Sequence, residues 1–290
     1  MEKPLVSVLM TVYNREKYIA EAIESVIAST YKNWELIIVD DQSKDNSVAI
    51  AKSYAQKDTR IKIHINDVNL GDYPNRNQAA RYANGKYLKY LDADDIIYPF
   101  GLEQLVFYME KFPESAYGLC SLSQDKQNIY PFMLGPREAY YRHYFEFPIF
   151  HKAPLSAIIK KVDFDEVGGF TGKQHLGDFE MWHILSKSKN VVLMPQGLVW
   201  YREHDDQQMN DNRTDPYVPF KYLLLSEEML KSNSCPLSAK EADKALELNY
   251  KKQSRAVLSA AKHHSFKKSF QLYKESKNVT LFSILNSVIS

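Results

Sequence analysis

Only two cysteines occur in the 290 residues, Cys120 and Cys235, far apart and without the paired spacing of a zinc site. A disulfide framework and a cysteine-ligated metal are thereby excluded, and the two read as a buried small residue and a loop residue. No apolar run approaches the length that spans a bilayer, and the first thirty residues lack the charged start, apolar stretch and small-residue cleavage site of a leader. These absences point to a cytoplasmic protein. Net charge is also lacking, at +1 from 37 basic and 36 acidic side chains, which argues against a general nucleic-acid binder. Glycine is missing where phosphate-cradling loops need it: Val12-Tyr13-Asn14-Arg15-Glu16, after the first strand-like run, contains none. Dinucleotide-binding and P-loop enzymes fail on that point, and it counts against a nucleotidyltransferase that makes sugar nucleotides, the lesser alternative, which would also want such a loop.

What is present is a core and a rhythm. Hydrophobic residues make up 44% of the chain, enough for one large domain or a domain with an extension. Leu5 to Tyr13 reads as a strand buried on both faces. Asn14 is placed to cap the helix that follows, whose apolar face is Ile19, Ala22, Ile23, Val26 and Ile27. Glu35 to Val39 forms a second strand ending at Asp40-Asp41, a helical pattern runs through Val48, Ile50, Ala51 and Tyr54, and Lys62 to Ile65 forms a third strand. Asp72 to Asn84 reads as a helix closed by a left-handed Gly85. This alternation predicts an α/β fold, a doubly wound, mostly parallel sheet flanked by helices. Ligands of such sheets lie at the carboxyl ends of the strands, which puts Thr11, Tyr13, Asp40, Asp41 and Asp92 to Asp95 on one rim.

The densest chemistry is Leu91-Asp92-Ala93-Asp94-Asp95, three carboxylates within four positions after a half-apolar strand. Carboxylates repel at close range, and a hard divalent ion taking few protein ligands plus phosphate oxygens relieves that repulsion. A solvated acidic turn before a helix opened at Pro99 is the alternative. Farther on, Ser156 to Ile159 reads as a buried strand, Gly168-Gly169-Phe170 as a turn, and Asp178 opens a helical stretch through Glu180, Trp182 and Leu185. Asp178 and Glu180, two apart on a helix, point in different directions, so only one of them faces a substrate. Taken alone, Asp178 also reads as an ordinary N-cap.

The blocks VSVLMTVYNRE, IIVDDQSKDNS, NLGDYPNRNQAARYANGKYLKYLDADD, GGF…GDFEMW and WYREH resemble, in order and spacing, family 2 glycosyltransferases of the GT-A fold over roughly residues 4 to 205. The resemblance implies an inverting transferase that moves a sugar from a nucleotide-sugar, a UDP-sugar above all, to a glycan or lipid-linked glycan, with Mn²⁺ or Mg²⁺ as cofactor. It implies that Thr11 and Tyr13 line the base and ribose pocket and that Asp41 accepts the imide N–H of uracil. Arg76, with Asn77, lies near the nucleotide. Asp92, Ala93 and Asp94 belong to a DXD motif: Asp92 faces the ribose, Asp94 and Asp95 reach the metal, and His204 is a further metal ligand, with Arg202 beside the phosphates. Asp178 becomes the catalytic base. One departure stands out, since many family members carry an acid just before the base, where this chain has Gly177. At a helix N-terminus Asp178 is expected to stay ionised at neutral pH. A paralogue that binds nucleotide-sugar or glycan without catalysis is the non-enzyme alternative.

The resemblance fades beyond Asp205. The expected division is a catalytic domain over 1–215 and a helical extension over 216–290, with a polar loop from Asp206 to Tyr217 able to close over nucleotide. Helices are expected over Pro219–Lys231, Ser238–His263 and Ser265–Ser276. Lys251, Lys252, Arg255, Lys262, Lys267, Lys268, Lys274 and Lys277 face Glu275 alone in that region. A solvated basic face packed on the catalytic domain is one reading, and peripheral docking at the inner face of the membrane is the other. The sequence carries no signal for oligomeric state.

Overall fold

The computed structural model describes residues 3–204, 215–276 and 278–280. The chain divides into two compact units, one of Met1–Ala139 with Ile149–Arg202 and one of Tyr140–Pro148 with Glu203–Ser290. The expected boundary after residue 215 adjoins 205–214, which lie outside the described residues, as does most of the polar loop expected there; its last residue, Tyr217, opens a helix.

The first unit is built on eight strands. In chain order these are β1 (Val6–Val12), β2 (Trp34–Asp40), β3 (Ile61–Ile65), β4 (Tyr87–Tyr90), β6 (Ser115–Leu122), β7 (Phe132–Leu134), β8 (Ala157–Lys160) and β9 (Asn190–Pro195), ordered β3-β2-β1-β4-β8-β6-β9-β7. A separate two-stranded ribbon joins β5 (Ile96–Ile97) to β10 (Val199–Trp200). β3, β2, β1 and β4 run parallel, with crossovers through α1 (Ile19–Ile27), α2 (Ser47–Ala55) and α3 (Asp72–Arg81). β8 enters antiparallel to both neighbours. A four-residue apolar strand hides its direction, because burial on both faces erases the alternation that would reveal it.

β1 and β2 are buried nearly end to end, each large aliphatic side chain contributing on the order of 1.5–3 kcal/mol of transfer free energy. Ile19, Ala22, Ile23 and Val26 of α1 pack onto them as expected, whereas Ile27 stays exposed. Asn14 does not cap α1, which opens after Tyr18. With φ of 52°, Asn14 reaches across instead: its Oδ1 accepts from the Lys44 N–H at 2.7 Å and its own N–H donates to Ser43 Oγ at 2.9 Å. The loops after β1 and β2 are thus clasped at the carboxyl ends of the strands.

Gly85 corrects a second expectation. α3 ends at Arg81, and Gly85 is not in the left-handed region. A Cβ there would lie 2.6 Å from the Ser7 backbone nitrogen and 2.8 Å from the Leu5 carbonyl, so glycine is required by close approach to β1.

In the second unit the helices Tyr217–Lys231, Ala239–His263 and Phe266–Glu275 form, with Phe220, Val257, Ala260, Leu272 and Val279 as their core. Ser238 and Glu241 make a reciprocal capping box at the start of the long helix. Among the described residues no helix is long and apolar enough to cross a membrane.

Candidate active site

α3 organises the site, and its first two turns carry four side chains with separate tasks. Arg76 is buried at 7% exposure between two carboxylates, its Nε 2.7 Å from Asp72 Oδ1 and its Nη1 2.7 Å from Asp92 Oδ1. Burial opposes its charge, but Asp72 and Asp92 together hold the guanidinium well above its usual pKa. Asn77 clamps the next loop, donating to the Phe170 carbonyl at 2.8 Å and accepting the Phe170 N–H at 2.9 Å. That loop needs its glycines, because Gly168 and Gly169 take φ of 82° and 74°.

Tyr73 reaches the base candidate. Its hydroxyl lies 3.3 Å from Asp178 Oδ1 and also accepts the Asp178 N–H at 3.3 Å. Asp178 is the second residue of the helix Gly177–Ser186, whose cap position is Leu176, so an ordinary N-cap role is ruled out. The carboxylate takes the Phe179 N–H at 2.7 Å. Burial raises its pKa to about 6, against the lowering pull of that N–H and of Arg76. The expectation of an ionised carboxylate at neutral pH therefore holds by a narrower margin than the helix terminus alone suggested. Glu180, by contrast, is tied to Lys173 at 2.8 Å and to the Thr171 hydroxyl. The two acids do part, and only Asp178 faces Tyr73.

Gly177 acquires a reason as well. A Cβ at this position would stand 2.7 Å from three ring carbons of Tyr73. The missing acid is the space that the tyrosine ring occupies.

The carboxylate triplet is neither a solvated turn nor an assembled metal cage. Asp94 pairs with Arg15 Nε at 2.7 Å, and Arg202 donates its backbone N–H to Asp95 Oδ1 at 2.9 Å and its Nε to the Asp94 carbonyl at 2.8 Å. Ala93, between them, is buried. The other Asp95 oxygen, Oδ2, is buried with no hydrogen-bond partner. Burial, then the charge of Asp92, pushes the Asp95 carboxyl well above the carboxylate range. An orphaned carboxylate oxygen beside two further acids fits a hard divalent ion, which needs only one or two protein carboxylates when phosphates supply the rest. Among the described residues, however, no three His, Cys, Asp or Glu side chains are gathered around one point to hold a metal. Asp94 meanwhile carries its ion pair with Arg15, and His204 belongs to the second unit.

Thr11 lies near the end of β1, and Tyr13, just beyond it, is 49% exposed. Asp40 accepts the Ser43 N–H at 3.0 Å, bonding its turn as expected of one of the pair. Asp41 is 3% exposed and receives Asn66 Nδ2 at 2.8 Å, the Leu70 N–H at 2.8 Å and the Gly71 N–H at 2.9 Å. A carboxylate has about four acceptor sites, so one remains by count. Tyr73, Asp72 and Arg15 were not singled out from the sequence, although all three stand inside the matched blocks.

A family model for glycosyl transferase family 2 matches residues 7–181, the segment that carries β1, α3, the carboxylate triplet and Asp178. The chain belongs to this family. Among its relatives is the UDP-Glc:alpha-D-GlcNAc-diphosphoundecaprenol beta-1,3-glucosyltransferase WfgD of Escherichia coli, 40% identical over 111 residues, 38% of this chain and 43% of that protein. The first relatives in sequence are matched over 39%, 39% and 33% of their lengths. Two solved structures share the GT-A fold. Staphylococcus aureus TarS 1-349 in complex with UDP-GlcNAc superposes with a TM-score of 0.67 at 18% identity, over 97% of this chain and 79% of that one. The mannosyltransferase PcManGT of Pyrobaculum calidifontis, in complex with GDP-Man and Mn2+, gives 0.64 at 16% identity, over 100% and 84%.

Proposed function

We propose that this glycosyl transferase family 2 member is an inverting, metal-assisted transferase. It moves a hexose from a UDP-sugar to a hydroxyl of a glycan or lipid-linked glycan. The observation that carries the reading is Asp178: a mostly buried carboxylate with its pKa near 6, held by Tyr73 on the same helix whose Arg76 grips Asp92 of the triplet. A base poised just below neutral pH is ionised in use yet able to take a proton.

In this reading Asp178 accepts the proton of the acceptor hydroxyl as that oxygen attacks the anomeric carbon and the nucleoside diphosphate departs from the opposite face. Tyr73 fixes the carboxylate so that its reactive oxygen is in place before the acceptor arrives. Arg76 keeps Asp92 oriented toward the ribose, and Thr11, Tyr13 and Asp41 form the base end of the donor pocket. Asp94 and Asp95 would hold Mn²⁺ or Mg²⁺, whose contribution when bound is to neutralise the diphosphate charge. The PcManGT complex with Mn2+ supports that cofactor, the TarS complex with UDP-GlcNAc supports the donor class, and the lipid-linked acceptor in WfgD's name supports the acceptor class. His204 stays a candidate for the diphosphate end, and Asp205 and Asp206, the next acids to consider as base, lie outside the described residues.

The second unit supports peripheral membrane association at the cytoplasmic face. Phe266 and Phe270, one helical turn apart, are 85% and 57% exposed beside Lys267 and Lys274.

The test is to incubate the chain with a panel of nucleotide-sugars and divalent ions and follow release of nucleoside diphosphate and the anomeric configuration of the product. Metal-dependent turnover of a UDP-sugar with inversion is expected. A retained configuration would refute direct displacement, and absence of any turnover would favour the non-catalytic paralogue.

A further inference from the structure

A cavity of about 550 Å³ opens in the first unit, in the range typical of small-molecule sites. Its lining includes Tyr98, Ser121, His151, Lys152, Ser156 and Trp200. Its two sides are tied to the two halves of the site. Trp200 pairs with Ile96 across the β5–β10 ribbon, two residues before Arg202 binds Asp95. The His151 ring stacks on Phe179, next to Asp178, with centroids 4.5 Å apart. The cavity is thus walled by residues adjoining those that touch the carboxylate triplet on one side and the helix of the base on the other.

Its chemistry is uneven. Of the chain's three tryptophans, Trp34 and Trp182 are buried, while Trp200 is 42% exposed. The Arg202 guanidinium lies 4.9 Å from the Trp200 ring and steadies the indole from one side. None of the lining residues is acidic. Lys152, half-buried, donates to the Ser121 carbonyl at 2.7 Å, which uses one of its three N–H donors. The surrounding backbone is fixed: Trp182 Nε1 holds the Lys152 carbonyl at 2.6 Å, and the fully buried Lys89 ammonium holds the carbonyls of Leu155 and Ala157. Ser121 is kept at φ of 61°, a conformation a serine adopts only when its surroundings over-determine it. An aromatic plate suits the C–H face of a pyranose ring, and a lysine in a lining without acids suits an anion.

We propose that this cavity is the acceptor subsite and takes a hexopyranose bearing an anionic group, phosphate or carboxylate, with its ring against Trp200 and its anion on Lys152. The word acceptor rests on the reading of Asp178 as base; the binding itself does not.

Because Trp200 is the exposed tryptophan, the intact chain reports on its own cavity. Its emission is followed on titration with the 1-phosphates of glucose, galactose and N-acetylglucosamine, with glucuronate, with glucose and with inorganic phosphate. A saturable change with at least one phosphorylated or uronic sugar is expected, tenfold or more tighter than with glucose or phosphate alone. Whether the phosphates or the uronate bind decides the source of the anion. Lys152→Met should bring the anionic sugars down to the level of glucose, and Lys152→Arg should restore part of the difference. Equal binding of glucose removes the anion from the proposal, equal binding of inorganic phosphate removes the sugar, and no saturable response to any probe overturns it. Binding that is lost when UDP-sugar, but not UDP, fills the donor site would make the cavity the donor's own sugar pocket and overturn the acceptor role. Asp178→Asn should leave this binding in place, so failure of the base reading is seen separately, as transfer that survives the substitution.

Discussion

The Tyr73 hydroxyl stands 3.3 Å from Asp178 Oδ1, joining the third helix of the sheet to the helix of the base across 105 residues of sequence. Asp178→Asn should lose on the order of 10²–10⁴-fold in transfer while UDP affinity is kept, and Glu180→Gln, whose acid is spent on Lys173 and Thr171, should lose far less. The pH profile gives the finer check. With the Asp178 pKa near 6, kcat/KM should fall on the acid side of that value. Tyr73→Phe removes a bond that favours the charged form, so its acid limb should move to higher pH. A limb that stays put would deny the tyrosine its role.

The same shift makes a statement about stability. The folded pKa of Asp178 lies above the unfolded value of about 3.9, so the native state holds the proton more tightly than the unfolded chain. Stability tied to this group is present below the unfolded pKa and is lost as pH rises through the folded one near 6. Asp178→Asn has no charge to bury and should melt higher than the parent at pH 7–8, an advantage that vanishes toward pH 4. Equal melting temperatures across that range would contradict the buried charge.

Much of this was legible in the residues because period and order survive without a structure. The apolar face of α1, the three C-terminal helices and the rim of acids followed from spacing alone. The misses share a cause: they are side chains whose partners are distant in sequence. Asn14 looks like a cap until Ser43 and Lys44 are beside it, and Gly85 looks like a helix stop until β1 is against it. The antiparallel β8 was hidden because a strand buried on both faces shows no alternation.

Metal binding should be read by nucleotide affinity. If Asp94 and Asp95 hold the ion, UDP should bind far more tightly with Mn²⁺ or Mg²⁺ than with a chelator, and Asp95→Asn should erase the difference. Since Asp95 Oδ2 is a buried orphan, the same substitution should not cost the metal-free protein stability. Equal UDP affinity with and without metal would sink the assignment.

For the base, the ligand should be varied and not the protein. Asp41 already holds Asn66, Leu70 and Gly71, so Asp41→Ala would loosen that loop and confuse the measurement. CDP lacks the ring proton that an acceptor at this site requires, and UDP should bind better by roughly 1–3 kcal/mol. Tighter binding of CDP or GDP would reject both the role of Asp41 and the UDP donor.

Vesicle sedimentation tests the second unit. Binding to anionic but not neutral vesicles is expected, weakened by salt and by replacing Phe266 and Phe270 with serine. Sedimentation indifferent to lipid charge would leave the basic face as solvated surface.

Gly177 offers a test of how the base is held. Gly177→Asp would restore the acid that many family members carry before the base, and a sequence comparison alone would expect it to be harmless or helpful. The geometry says otherwise, because the new Cβ would stand 2.7 Å from the Tyr73 ring, on the rigid side of an aromatic and not at the end of a flexible chain. Overpacking of this kind costs typically 1–3 kcal/mol. Gly177→Ala carries the Cβ without the charge and should show most of the same loss in melting temperature, together with a fall in kcat as Tyr73 is pushed from Asp178. Combining it with Tyr73→Ala opens the space again, so the double variant should recover stability relative to the sum of the two single changes while activity stays low. Additive losses in that cycle would mean that Gly177 is not there to admit the tyrosine.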